Sequence, residues 1–329
     1  MILAGLVIGG VSFNEPTLAS ECGRVALANL NWQSAEVLAN LDKIVLETGY
    51  GCTVELITGE TVPAITSMVE KGSPDVVPEA WVASVPEVVA KGIADKRLIE
   101  TVDTFSDGAV QGWWIPKYLA DAHPDIKTIE DALKHPELFP APEDASTGAV
   151  YNAPQGSGGA LVTGQLFKAY EGEKHGFTLV ETGSVAGLDG SIAKAYERKE
   201  GWLGYYWSPT STLGKYEMVK LDYGVPYDAA EWRRCNTVAD CPDPKPNEWP
   251  KDHVPTLVTT GFAERGGPAM DYLSKRSWSN ATVNKLLAWM TDNQATGEEG
   301  AKHFLKNNPD VWAAWVPADV AEKVKKAVE

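Results

Sequence analysis

The chain has 329 residues, 44% of them hydrophobic and 22% charged, an ordinary globular make-up with room for one large or two medium cores. Its formal net charge of -16 argues against a partner made of nucleic acid or anionic lipid, since both ask for a basic face. Twelve tryptophans are an unusual load for this length and need an explanation.

The first twenty residues, MILAGLVIGGVSFNEPTLAS, hold an apolar run from Ile2 to Val11, too short to span a bilayer and suited to the core of a signal peptide cut near Ala19 or Ser20. No Lys or Arg precedes that run, so the leader over 1–20 reads as incomplete. An exported chain with four cysteines, Cys22, Cys52, Cys235 and Cys241, favours disulfides over a metal site. Cys22 stands just before the strand candidate RVALANL and Cys52 opens the strand candidate CTVELIT, with one helix between, which puts both at the same end of neighbouring parallel strands. The expected bridges are Cys22 to Cys52 and Cys235 to Cys241.

From residue 24 the pattern alternates. RVALANL leads to an amphipathic run from Trp32 to Glu47, then CTVELIT, a helix from about Thr61 to Lys71, and the strand-like VVPEAWV. That is a βαβαβ half of an open parallel sheet. A second set begins with AVQGWWI and continues through helices over 117–135, the strand GAVYN, a helix opened by Gly156-Ser157-Gly158-Gly159, FTLVE, a helix near 189–199, and GWLGYYW. The stretch 222–252, rich in Pro, Asp and Asn, reads as a long stapled crossover before VPTLVTTGF and a mostly helical tail, in which Trp289, Trp312 and Trp315 read as packing. The expectation is an α/β chain of two lobes with a ligand cleft between them, lobe 1 from 21–110 and 224–329, lobe 2 from 111–223.

Enzyme signatures are lacking. The five histidines show no HExxH spacing, Ser157 in QGSGG is not a GxSxG elbow, and there is no Walker or dinucleotide fingerprint. Catalytic residues, cofactor and metal are therefore all read as none. The aromatics ask for something else. Trp32 follows the first strand, Trp81 ends the third, Trp113 and Trp114 stand at the entry to the second lobe with only one able to face the cleft, and Trp207 ends YYW. In open α/β sheets the carboxyl ends of strands are where ligands bind. A ring of indole faces suits a methylated ammonium ion. Glu79 sits two residues from Trp81, so on a strand both point the same way and the acid supplies a counter-charge. The glycine-rich turn with Asn152, Gln155, Gly156 and Ser157 offers amides and side chains to the ligand's polar end.

The order NLNW, PDVVPEAW, GWWIPKY, YNAPQGSGG and YYWSP resembles the substrate-binding proteins of ABC importers for glycine betaine, proline betaine, choline and trimethylamine N-oxide, the ProX/OpuAC group. The resemblance covers about 24–260. It implies a class II periplasmic binding protein fold, a small methylated-amine ligand, and docking of a monomer on an ABC permease in the inner membrane. Its aromatic box falls on Trp32, Trp81, Trp113 and Trp207. Where the choline type carries an Asp two residues beyond the first Trp, this chain has Ser34. The ligands of the group are not separated at this level. A binding protein for a sugar or an anion, and a serine hydrolase using Ser157, stand as alternatives.

Overall fold

A computed structural model describes residues 22–329, so the expected leader lies outside the described residues. Strand β1 (Arg24–Leu30) buries Val25, Leu27, Ala28 and Leu30 and pairs in parallel with β2 (Thr53–Gly59) from Arg24↔Thr53 to Leu30↔Gly59. The helix Gln33–Tyr50 between them buries Val37, Leu38, Leu41, Val45 and Leu46, a helical spacing that lays one face on the sheet. It stops at Gly51, whose φ of 70 is the left-handed cap that glycine adopts without a Cβ clash. Cys22 and Cys52 lie just ahead of the two paired strands and are bridged, with Cα atoms 5.1 Å apart. Cys235 and Cys241 form the second bridge.

The helix Thr61–Lys71 has the span its sequence predicts. The next strand does not. β3 is only Val76–Val77, because Pro78 has no N–H for the ladder and the chain turns there. β4 (Leu98–Asp103) and, much later in the chain, β10 (Pro255–Thr259) complete a first sheet of order β2-β1-β3-β10-β4. The second sheet has order β7-β6-β8-β5-β9, built from β5 (Val110–Pro116), β6 (Gly148–Tyr151), β7 (Phe177–Val180), β8 (Gly204–Ser208) and β9 (Met218–Lys220).

Both sheets are mixed, which corrects the expectation of parallel ones. β10 runs antiparallel to β3 and β4, and β5 antiparallel to β8 and β9. The cause is the connection between lobes: each of these strands begins where the chain has just crossed over, so it starts at the cleft and runs away from it. The two crossings lie side by side at Ala109 and Asp252, whose amides exchange hydrogen bonds of 3.4 and 3.3 Å.

The 224–251 stretch keeps company with the second sheet. Gln165 donates to the carbonyls of Val238 and Ala239, and Lys220 pairs with Glu248 at 2.7 Å. We therefore place the return crossing at Asp252 rather than at 224. In the helical tail, Trp312 and Trp315 are buried, Trp312 donating to the Leu305 carbonyl at 2.7 Å, while half-buried Trp289 stacks on His303.

Candidate ligand-binding site

Between the lobes lies a cavity of about 420 Å³ including its mouth, at the small end of small-molecule sites. Trp32 and Trp81 line it from the first lobe, Tyr205 and Trp207 from the second. Trp32 is the extended residue that precedes the helix Gln33–Tyr50, so the turn out of β1 delivers its indole to the sheet edge. Trp207 and Tyr205 are two apart on β8 and therefore share a face, their rings stacked at 5.9 Å.

Glu79 is fully buried, and it does not line the cavity. Its Oε1 accepts three hydrogen bonds, from Trp32 Nε1 at 2.7 Å, Trp81 Nε1 at 3.0 Å and Ser34 Oγ at 3.0 Å. This corrects the expectation of an acid facing the ligand beside Trp81. The chain at 79–81 is a turn, not a strand, and the carboxylate stands behind the rings and grips their N–H edges. Ser34 takes part in that grip. An indole whose N–H is given to a carboxylate is more electron-rich on its faces, which strengthens its attraction for a cation.

The turn that carries Glu79 is fixed from below. The Pro78 carbonyl accepts from Thr104 Oγ1 and Thr256 Oγ1, each at 2.8 Å, and from Arg276 Nη2 at 3.3 Å. Arg276 is itself buried and forms an ion pair with buried Asp42 at 2.8 Å. On the other wall the Tyr205 hydroxyl donates to Gln111 Oε1, and Gln111 Nε2 donates to Asp252 Oδ2 at 3.1 Å, so a hydrogen-bond chain runs from the cavity to the lobe crossing.

Burial pushes the Glu79 carboxyl up to about 7, opposed by the hydrogen bonds from Trp32, Trp81 and Ser34 and by the charge of Arg276. Burial does the same to Asp252, also to about 7, against Gln111 and Lys220. A carboxyl whose folded value is raised binds its proton more tightly in the native state, so its stabilising share is complete below the unfolded value of 4.5 and is lost as pH rises through 7. Glu79→Gln removes that share for one group. The unfolding free energy of the variant relative to wild type, followed by denaturation at each pH, should therefore climb between pH 5 and 8 by up to about 3 kcal/mol. A difference that stays flat across that range would refute the assignment.

The remaining expected residues are dispersed. Trp113 is fully buried, packed against Tyr170 with ring centres 6.4 Å apart, and Trp114 donates to the Tyr206 carbonyl at 3.0 Å; neither lines the cavity. Because β5 is antiparallel to β8, Gln111 pairs with Trp207 at the cleft, and Trp113 falls two residues further from it, opposite Tyr205. Asn152 bonds Glu181 and its neighbour Ala153, and with Gln155 and Gly156 it lines a separate groove that Val62 and Pro63 also border. Ser157 borders both spaces, but its hydroxyl donates to the Pro154 carbonyl and caps the helix Gly158–Ala169 through Ala160 N. Gly158 and Gly159 do reach the cavity. A Cβ on Gly158 would fall 2.1 Å from the Ser84 side chain, so glycine is what lets the lobes meet there.

Sequence reasoning missed Tyr205, Gln111 and Glu60, all cavity-lining. The alternation in GYYWS, with Trp207 facing the cleft, was enough to find Tyr205. Gln111 needed the strand direction, and Glu60 carries no sequence signal beyond opening a helix.

Residues 23–307 match the family described as the substrate binding domain of ABC-type glycine betaine transport systems. The chain belongs to that family. Among its relatives, the trimethylamine N-oxide-binding protein of Pelagibacter ubique is 23% identical over 319 residues, covering 94% of this chain and 96% of the relative. Among solved structures, an ABC-transporter choline-binding protein in complex with choline superposes with a TM-score of 0.74 at 20% identity, over 96% of this chain and 100% of that one. The glycine betaine, L-proline binding protein ProX of Borrelia burgdorferi gives 0.72 at 19% identity, over 92% and 99%. The family's two-lobed receptor fold accounts for a cavity whose walls come from separate sheets. It is a family of solute-binding components of ABC transporters, and among the described residues no helix is long and apolar enough to cross a membrane.

Proposed function

We propose that this family member is an exported, periplasmic receptor that closes on a small methylated amine, trimethylamine N-oxide, glycine betaine or choline, and delivers it to an ABC permease in the inner membrane. The observation that carries the reading is the wall of the cavity. Three indoles and a phenol, two rings from each lobe, surround a space in which, among the described residues, no lining side chain is basic. A trimethylated nitrogen has no N–H to donate and offers only a diffuse positive charge and methyl groups, which is what ring faces attract. Each desolvated ring contributes about 0.5–2 kcal/mol, so four supply several of the roughly 8 kcal/mol that micromolar affinity needs. The relatives' own ligands, as their names give them, are of the same kind. The serine-hydrolase alternative gains nothing from Ser157, whose hydroxyl is committed to capping a helix.

The test is a titration of a dozen methylated amines and several sugars, followed by intrinsic tryptophan fluorescence and calorimetry. Trp32, Trp81 and Trp207 should report the amines at one ligand per chain, with the ligand recovered intact, and ignore the sugars. Silence toward every methylated amine would overturn the reading.

A further inference from the structure

Resting on the reading of the cavity as a methylated-amine site, we propose that Glu60 is the residue that chooses among such ligands, favouring those without a carboxylate, such as choline, over glycine betaine. Glu60 is the acidic side chain that lines the cavity itself, beside Trp32, Trp81 and Thr61. It opens the helix Thr61–Lys71 without using its side chain as the cap, so the carboxylate is left for another purpose. Asn31 Nδ2 donates to its Oε1 at 3.0 Å and holds it in place; among the described residues no hydrogen bond reaches Oε2.

Its position relative to the second lobe matters most. A Cβ built on Gly156 would come 3.1 Å from Glu60 Cγ, so this acid stands directly against the glycine-rich turn across the cleft. That turn leads into Gly158 and Gly159, which line the cavity at the start of the helix Gly158–Ala169, the end of a helix whose backbone amides favour a negative group. A carboxylate seeking those amides meets Glu60 at the same place. No lysine, arginine or histidine lines the cavity among the described residues, so no basic lining side chain offsets that repulsion.

Desolvation raises the Glu60 carboxyl above its ordinary value, opposed only by the Asn31 hydrogen bond. A cation arriving next to it relieves that burden, and an anion adds to it. Choline and glycine betaine share the trimethylammonium head that the rings enclose and differ at the other end, hydroxyl against carboxylate. The rings therefore treat them alike, and Glu60 is what separates them.

The experiment is calorimetric titration of choline and of glycine betaine into the full chain and into Glu60→Gln, with thermal melts to show that both proteins are folded. Glutamine keeps an acceptor for Asn31 and removes the charge. Wild type should prefer choline. The variant should bind choline about fivefold more weakly and glycine betaine equally or more tightly, moving the ratio of the two affinities by at least about fivefold, as expected for one half-buried charge. A ratio that the substitution leaves unchanged, or a wild-type preference for glycine betaine, overturns the role of Glu60 while the methylated-amine reading stands. Failure of wild type to bind either ligand overturns the role of Glu60, and the methylated-amine reading falls with it only if trimethylamine N-oxide is silent as well.

Discussion

A chain carrying Trp81→Ala and Trp207→Ala should bind choline or trimethylamine N-oxide at least about fivefold more weakly than wild type. The pair takes one ring from each lobe, so neither half of the cavity keeps its full aromatic face. Two lost rings remove about 1–4 kcal/mol of attraction for the trimethylammonium head, and the lower end of that range is already about a fivefold loss. Both side chains are nearly buried, at 6% and 7% exposure, so melts must accompany the calorimetry to separate lost binding from lost folding. The control is Trp114→Phe. Trp114 carries the same side chain and lies on the same lobe, but it is absent from the cavity wall, so affinity should hold. Equal binding by the double variant and wild type would end the assignment of the cavity as the site.

Arg276→Met should lower stability by about 3–5 kcal/mol, the range for breaking one partner out of a buried ion pair. Arg276 and Asp42 are 1% and 0% exposed, and among the described residues Asp42 has no other cation in contact; Tyr272 supplies one hydrogen bond at 2.6 Å. Removing the guanidinium leaves a carboxylate in an apolar interior, where burial already pushes its pKa up. It also strips a donor from the Pro78 carbonyl and so loosens the turn on which Glu79 stands. The double variant Asp42→Asn with Arg276→Met removes the stranded charge and should recover a large part of the loss in urea denaturation. If single and double variants unfold at the same urea concentration, the stranded charge is not the cause. The variant should also bind ligand more weakly at temperatures where it remains folded, because the two indoles depend on Glu79 for their orientation.

Much of this was legible in the sequence where local rules decide. The helix Thr61–Lys71, the strand pair β1 and β2, and both disulfides follow from hydrophobic spacing, glycine caps and cysteine placement, signals carried by neighbours in the chain. Three of the expected indoles, Trp32, Trp81 and Trp207, do come together. Trp113 does not, and the reason is direction. The rule that ligands gather at the carboxyl ends of strands holds for parallel strands; β5 enters from the other lobe and meets the cleft with its first residues, which brings Gln111 forward and carries Trp113 into the interior. Strand direction is decided by which lobe the chain has just left, a fact about topology that no local pattern records. Glu79 was found for a reason that fails. Period-two alternation predicted a shared face with Trp81, whereas Pro78 breaks the strand and a hydrogen bond inside the turn brings the two together.

The division of the aromatic wall between sheets has a bearing on unloading. Trp32 and Trp81 belong to one body, Tyr205 and Trp207 to the other, and among the described residues the only covalent ties between them are the passages near Ala109 and Asp252. If the bodies part, a methylated cation held as proposed loses two of its four ring faces in a single movement and is held correspondingly more weakly. Parting the bodies would thus promote release, with no separate ejecting group required.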